Sequence, residues 1–186
     1  GGIYAGLDPF VANSANPDSE IKLTITGGSI TNNKAEPREA SEGVEADVNN
    51  CGGGIYLADK AGLSMRGGTI SGNTAKIGGG IYAAGDSRNT ENRERDTTGV
   101  KSVIISSADG STIEISGNTA TTCGGGIFLG EGLLASISKT RMVDNHAVGT
   151  TTVAGTSLNG YAQNDLLTGS GGALVSVRKT TVWISD

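Results

Sequence analysis

The sequence predicts an all-β protein, a right-handed parallel β-helix: a solenoid of about five coils, each with three short strands. Three observations predict it. The phrase Gly52-Gly53-Gly54-Ile55-Tyr56-Leu57 returns at 78–83 and 124–129, with a shorter form at 1–4 and a degenerate one at 171–175. A second phrase travels with it, Ile70-Ser71-Gly72-Asn73-Thr74-Ala75 and its copy at 115–120, with looser copies at 30–35 and 142–147. The cleanest unit, 52–77, is about 26 residues of short apolar runs cut by glycine-rich turns, which leaves no room for a helix.

Taken in order, that unit divides into three strand-like pieces. Ile55-Tyr56-Leu57 follows the glycine triplet. Leu63-Ser64-Met65 puts apolar residues two apart, the period of a strand. Thr69-Ile70-Ser71 follows a glycine pair. Parallel crossovers between such strands are almost always right-handed, and successive coils stack at the inter-strand spacing of about 4.8 Å.

Aligned copies form columns. The first runs Ile3, Ile55, Ile81, Ile127, Ala173, and beside it Tyr4, Tyr56, Tyr82, Phe128, Leu174. The second strand gives Leu23/Ile25, Leu63/Met65, Val103/Ile105, Ala135/Ile137 and Val175/Val177. The third gives Ile30, Ile70, Ile115, Met142 and Val182. Then come Asn33, Asn73, Asn118 and Asn145, and two residues on Ala35, Ala75, Ala120 and Ala147. Only the asparagine column is polar. At a coil corner the backbone has groups the sheets do not satisfy, and an amide carries both donor and acceptor. These four residues are therefore expected to form a structural ladder rather than a catalytic site.

With 186 residues the chain is expected to be a single β-helix segment, 1–186, about 24 Å long. No polar cap closes either end, so it reads as a slice of a longer rod whose neighbours are further coils of the same chain. Four insertions interrupt the coils, at 7–20, 36–50, 85–101 and 148–168; the second is acidic, the third mixes both charges and the fourth is nearly uncharged. Insertions in solenoids gather on particular faces, often the binding face. The net charge of −5 and the few aromatics argue against nucleic-acid binding. No apolar run is long enough to insert this segment in a membrane. Cys51 and Cys123 each precede a glycine triplet, with Ile77 at that place in the coil between and Ser170 in the last. The column reads as inward-facing. Two coils separate the thiols by roughly 9–10 Å, beyond the reach of a disulfide, so both are expected to be free.

Chemistry is sparse. A polysaccharide-cleaving solenoid would need clustered carboxylates, as acid and base or as calcium ligands. Asp59 and Asp144 have no acidic partners in their columns. The lone His146 builds no triad or metal site, and no lysine follows the glycine triplets as a phosphate loop requires. No catalytic residue, metal or cofactor is assigned. The aromatic column Tyr4, Tyr56, Tyr82 and Phe128 has two readings: an outward stripe for sugar or protein contact, or a packed stack.

The alternation of Gly-Gly-Gly-Ile-Tyr with Ile-Ser-Gly-Asn-Thr-Ala resembles the repeats of chlamydial polymorphic membrane proteins, and more broadly the pectin-lyase-like β-helix adhesins. Where the chlamydial form has Phe three residues before the Asn, this chain has Ile30, Ile70, Ile115 and Met142. The resemblance implies a cell-surface or extracellular, autotransporter-type adhesin or stalk, connected with cell adhesion and virulence. Its partner would be a surface protein or glycan of a host or neighbouring cell. Two alternatives stand beside this non-enzymatic reading: a polysaccharide lyase or glycoside hydrolase of the same fold, and a purely structural self-assembling rod.

Overall fold

The computed structural model describes residues 1–6, 21–36, 50–58, 61–85, 102–107, 110–149, 171–177 and 180–185. Asp59, and nearly all of the four insertions, lie outside the described residues. Every element among the described residues is a strand, and every strand pair is parallel.

The first coil contributes β1 (Ile3–Ala5), β2 (Ile21–Ile25) and β3 (Ser29–Thr31). The second adds a fourth strand: β4 (Ile55–Leu57), β5 (Ala61–Met65), β6 (Gly68–Ser71) and β7 (Thr74–Ile77). The third repeats this with β8 (Ile81–Gly85), β9 (Ser102–Ser106), β10 (Ile113–Ser116) and β11 (Thr119–Cys123). The next has β12 (Ile127–Glu131), β13 (Leu134–Ser138), β14 (Thr140–Val143) and β15 (His146–Ala147). The last has β16 (Leu174–Ser176) and β17 (Thr181–Ser185). Equivalent strands stack into sheet A (β1-β4-β8-β12-β16), sheet B (β2-β5-β9-β13-β17), sheet C (β3-β6-β10-β14) and sheet D (β7-β11-β15). This is a parallel β-helix.

Three strands per coil were expected, and sheet D joins them. It lies just past the asparagine corner, where Thr74-Ala75 pairs with Thr119-Ala120. A two-residue apolar signature does not announce a strand, but the corner fixes the backbone direction and the neighbouring coil supplies the ladder.

The core follows from the pleat. Ile55, Ile81 and Ile127 are in register, as are Ile70, Ile115 and Met142, and the isoleucines of both columns are fully buried in one cluster. Each such side chain contributes roughly 1.5–3 kcal/mol by leaving water. The last coil departs from the expected columns by one residue. Leu174, not Ala173, pairs with Ile127, and Val175, not Leu174, pairs with Phe128. Ala173 stands where other coils have the third glycine, accepting the hydrogen bond from Ile127 N–H. Val182 belongs to the second sheet, opposite Ala135, not to the third. The degenerate triplet Gly171-Gly172-Ala173 hides this register because its third glycine is an alanine.

Glycine triplets have two physical reasons. The first residue is left-handed each time, with φ of 67°, 64°, 68° and 63° at Gly52, Gly78, Gly124 and Gly171. The third lies against the next coil: a Cβ on Gly54 would stand 2.7 Å from the Gly80 oxygen, and one on Gly80 2.6 Å from the Gly126 oxygen.

Candidate interaction site

The asparagine corner is saturated. Asn73 Oδ1 accepts from Asn33 N–H at 2.9 Å and Asn33 Nδ2 at 3.0 Å. Asn73 Nδ2 donates to Ile30 O at 2.9 Å and to Asn118 Oδ1 at 3.0 Å. Asn118 repeats the pattern, accepting from Asn73 N–H and Nδ2 and donating to Ile70 O and Asn145 Oδ1. Both side chains are fully buried, and two donors and two acceptor positions are all an amide has. Nothing is left to bind or activate a substrate. The residue before each ladder asparagine is left-handed, with φ of 56° at Asn32, 64° at Gly72, 60° at Gly117 and 52° at Asp144. Asn, Gly, Gly, Asp is the composition such a backbone selects; that column was a signal the sequence reading passed over.

The aromatic column projects from the outer face of sheet A. Its ring centroids are 5.4, 5.1 and 5.2 Å apart along Tyr4, Tyr56, Tyr82 and Phe128, with interplanar angles of 12°, 26° and 9°. Stacking turns the ring faces toward one another. Exposure falls along the column, from 60% at Tyr4 through half-buried Tyr56 to 2% at Tyr82 and 1% at Phe128. What reaches solvent is therefore concentrated at Tyr4 and Tyr56.

The cysteine column joins these rings and corrects the inward reading. Cys51 and Cys123 both pair with Ile77, one on each side. All three are buried, but with Tyr82, Ala84 and Phe128 in a second apolar cluster separate from the coil interior. Sheets D and A meet at the glycine corner, so Ile77 and Tyr82 share its outer angle. Neither cysteine is in a disulfide, and burial pushes the Cys123 thiol up to about 11.

The insertions leave the coils at two corners. Residues 7–20 and 86–101 connect sheet A to sheet B, while 37–49 and 150–170 return the chain to sheet A. The turns from sheet C to the asparagine corner are short in all four coils that have one, at 32–33, 72–73, 117–118 and 144–145. Long insertions thus border the sheet that carries the aromatic column. One is pinned at its base: Asn50 Nδ2 donates to Ala35 O at 2.7 Å, and Lys76 N–H donates to Asn50 O at 2.8 Å. Beside it Lys34 and Glu36 pair at 2.8 Å, and Lys34 holds the Glu36 carboxyl below its usual range.

No group of three His, Cys, Asp or Glu that could hold a metal occurs among the described residues. Asp144 and His146 are exposed at the last asparagine corner. Glu114 and Arg141 pair at 3.2 Å across two coils of sheet C. A hydrogen bond from Ser116, then the charge of Arg141, lowers the Glu114 carboxyl. No helix among the described residues is long and apolar enough to cross a membrane.

The family model of the Chlamydia polymorphic membrane protein (Chlamydia_PMP) repeat matches residues 112–130. That stretch runs through β10, the corner at Asn118, β11, the glycine triplet and nearly all of β12. Comparison with curated proteins and with solved structures gave no match.

Proposed function

We propose that the chain is part of a surface-exposed or secreted rod of the autotransporter type. In this reading it is an adhesin or stalk whose coils hold insertions out to a surface protein or glycan of another cell. The observation that carries it is positional: the four long insertions open only at the two corners bordering sheet A, while the core columns continue from coil to coil. A rigid scaffold with variable loops on one side is the usual arrangement of a binding protein. The match of 112–130 to a polymorphic membrane protein repeat supports the surface setting.

The test is a loop exchange. Coil two crosses from sheet A to sheet B through Ala58-Asp59-Lys60-Ala61 alone, so that segment can replace residues 84–101 in register. The exchanged protein should keep its β-type circular dichroism and lose binding to target cells by tenfold or more. Undiminished binding by this variant, and by one with 37–49 shortened, would leave the chain a spacer. Protease treatment of intact producing cells should release fragments containing 112–130; complete protection would remove the surface assignment.

A further inference from the structure

The strands of sheet B differ from the insertions in chemistry, although two of the insertions, 7–20 and 86–101, lead into β2 and β9. Thirteen of the nineteen carboxylates fall within 7–20, 36–50, 85–101 and 148–168. No strand of sheet B contains a carboxylate: the five read IKLTI, AGLSM, SVIIS, LASIS and TVWIS. Their inward positions are apolar, and their outward positions are mostly serine and threonine. Among these hydroxyls, Ile104 and Trp183 point outward, 38% and 54% exposed. They share one register column with Ser136 between them. Val103, Ile105 and Val182 fix that direction by packing on the core from the alternate positions. Three cations border the same face, Lys22 on β2, Arg66 just past β5 and Lys139 just past β13, all exposed and none in an ion pair among the described residues.

We propose that the outer face of sheet B binds an acidic glycan, a chain of sugars carrying carboxylate or sulfate groups. A flat parallel sheet offers no pocket, so a ligand must be extended and must gain from repetition along the rod. Equivalent positions repeat at about 4.8 Å per coil. Trp183 supplies an apolar ring face for a sugar ring, as aromatic side chains do where one side of a contact is wet. Hydroxyl rows match sugar hydroxyls; Ser138 Oγ donates to Ser106 Oγ at 2.8 Å, so two hydroxyls of the row are already oriented across adjacent coils. Cations that make no ion pair among the described residues, beside strands that carry no carboxylate, favour a negatively charged chain. Nucleic acid shares the charge, but single strands are held by successive bases stacked on several rings, and Trp183 is the one aromatic residue in the strands of sheet B.

The experiment uses the full chain and surfaces coated with hyaluronate, chondroitin sulfate, neutral dextran or single-stranded DNA, at about 50 mM salt where surface charge is least screened. Binding to either acidic glycan is expected, at least about tenfold tighter than to dextran or DNA. Trp183→Ala should weaken it about tenfold. The pair Arg66→Gln with Lys139→Gln should weaken it similarly and flatten its salt dependence. Thr31→Ala, on the outer face of sheet C, should leave it unchanged. Circular dichroism and melting temperature should match the parent throughout, since each replaced side chain is exposed. The inference is overturned by no acidic-glycan binding, by equal binding of DNA, or by indifference to both Trp183→Ala and the cation pair. The loop exchange above leaves sheet B intact, so the two readings fail separately.

Discussion

At the scale of single residues, Asn73 shows how a corner is held. Asn73→Leu keeps similar bulk but strands Asn33 N–H and Ile30 O without their partners. Each unsatisfied buried group costs about 1–3 kcal/mol, so a loss of roughly 3 kcal/mol in denaturant unfolding is expected; a loss below about 0.5 kcal/mol would mean the corner does not depend on the amide. Ile70 sits beside it in the core, and Ile70→Ala should cost about 2–5 kcal/mol by the same measurement. The left-handed column gives a sharper comparison. Gly117 has φ of 60° and no atom closer than 3.9 Å to an added Cβ, so only backbone conformation is at stake. Gly117→Asn, copying Asn32, should stay within about 0.5 kcal/mol, whereas Gly117→Val should cost about 1–2 kcal/mol. The asparagine recurrence could be read directly. Which atom each amide serves could not, because every bond but one crosses at least twenty-seven residues.

At the scale of elements, recurrence of whole phrases made strands in sheets A, B and C legible in the first four coils. Ile, Leu and Val at fixed offsets can satisfy only one stacking. The legible part ends where a phrase decays. Ala173 replaces a glycine without changing its place, and the alignment slipped there. The cysteines mark a second limit. Their stacking against Ile77 was legible, because triplets number the coils. Their direction was not, since a glycine corner at φ near 64° turns Ile77 out of the coil and against Tyr82. A thiol there should ignore solvent reagents: titration should find no reactive cysteine in the folded chain and two after unfolding. The Cys123 pKa is raised from 9.0 to about 11, so the folded state holds this proton after the unfolded state has released it. Its contribution to stability is therefore complete below pH 9 and lost as pH rises through the interval to about 11. Cys123→Ala should remove that part of the alkaline loss; an identical alkaline midpoint in both proteins would exclude the linkage.

At the scale of the whole molecule, each coil touches only its neighbours, so stability is a sum of coil terms and interfaces. Closing the insertions adds an entropic cost to that sum. Their positions were legible as breaks in the repeat, but not their common border with sheet A, which depends on the sheet to which each flanking strand belongs. Replacing residues 84–101 by Ala58-Asp59-Lys60-Ala61 makes the connection about fourfold shorter and should raise the unfolding free energy by roughly 1 kcal/mol. The aromatic stack gives the competing effect. Tyr82 is 2% exposed at the foot of that insertion. If the insertion supplies much of its cover, removing it exposes a ring and offsets the entropic gain, since a large side chain leaving its buried place costs about 1.5–3 kcal/mol. Denaturant unfolding of the exchanged protein separates the two. A gain near 1 kcal/mol with Tyr82 still resistant to nitration, read by peptide mapping, would show that the stack is covered by the coils themselves. A net loss with rising tyrosine accessibility would show that the insertion packs on sheet A and belongs to its cluster.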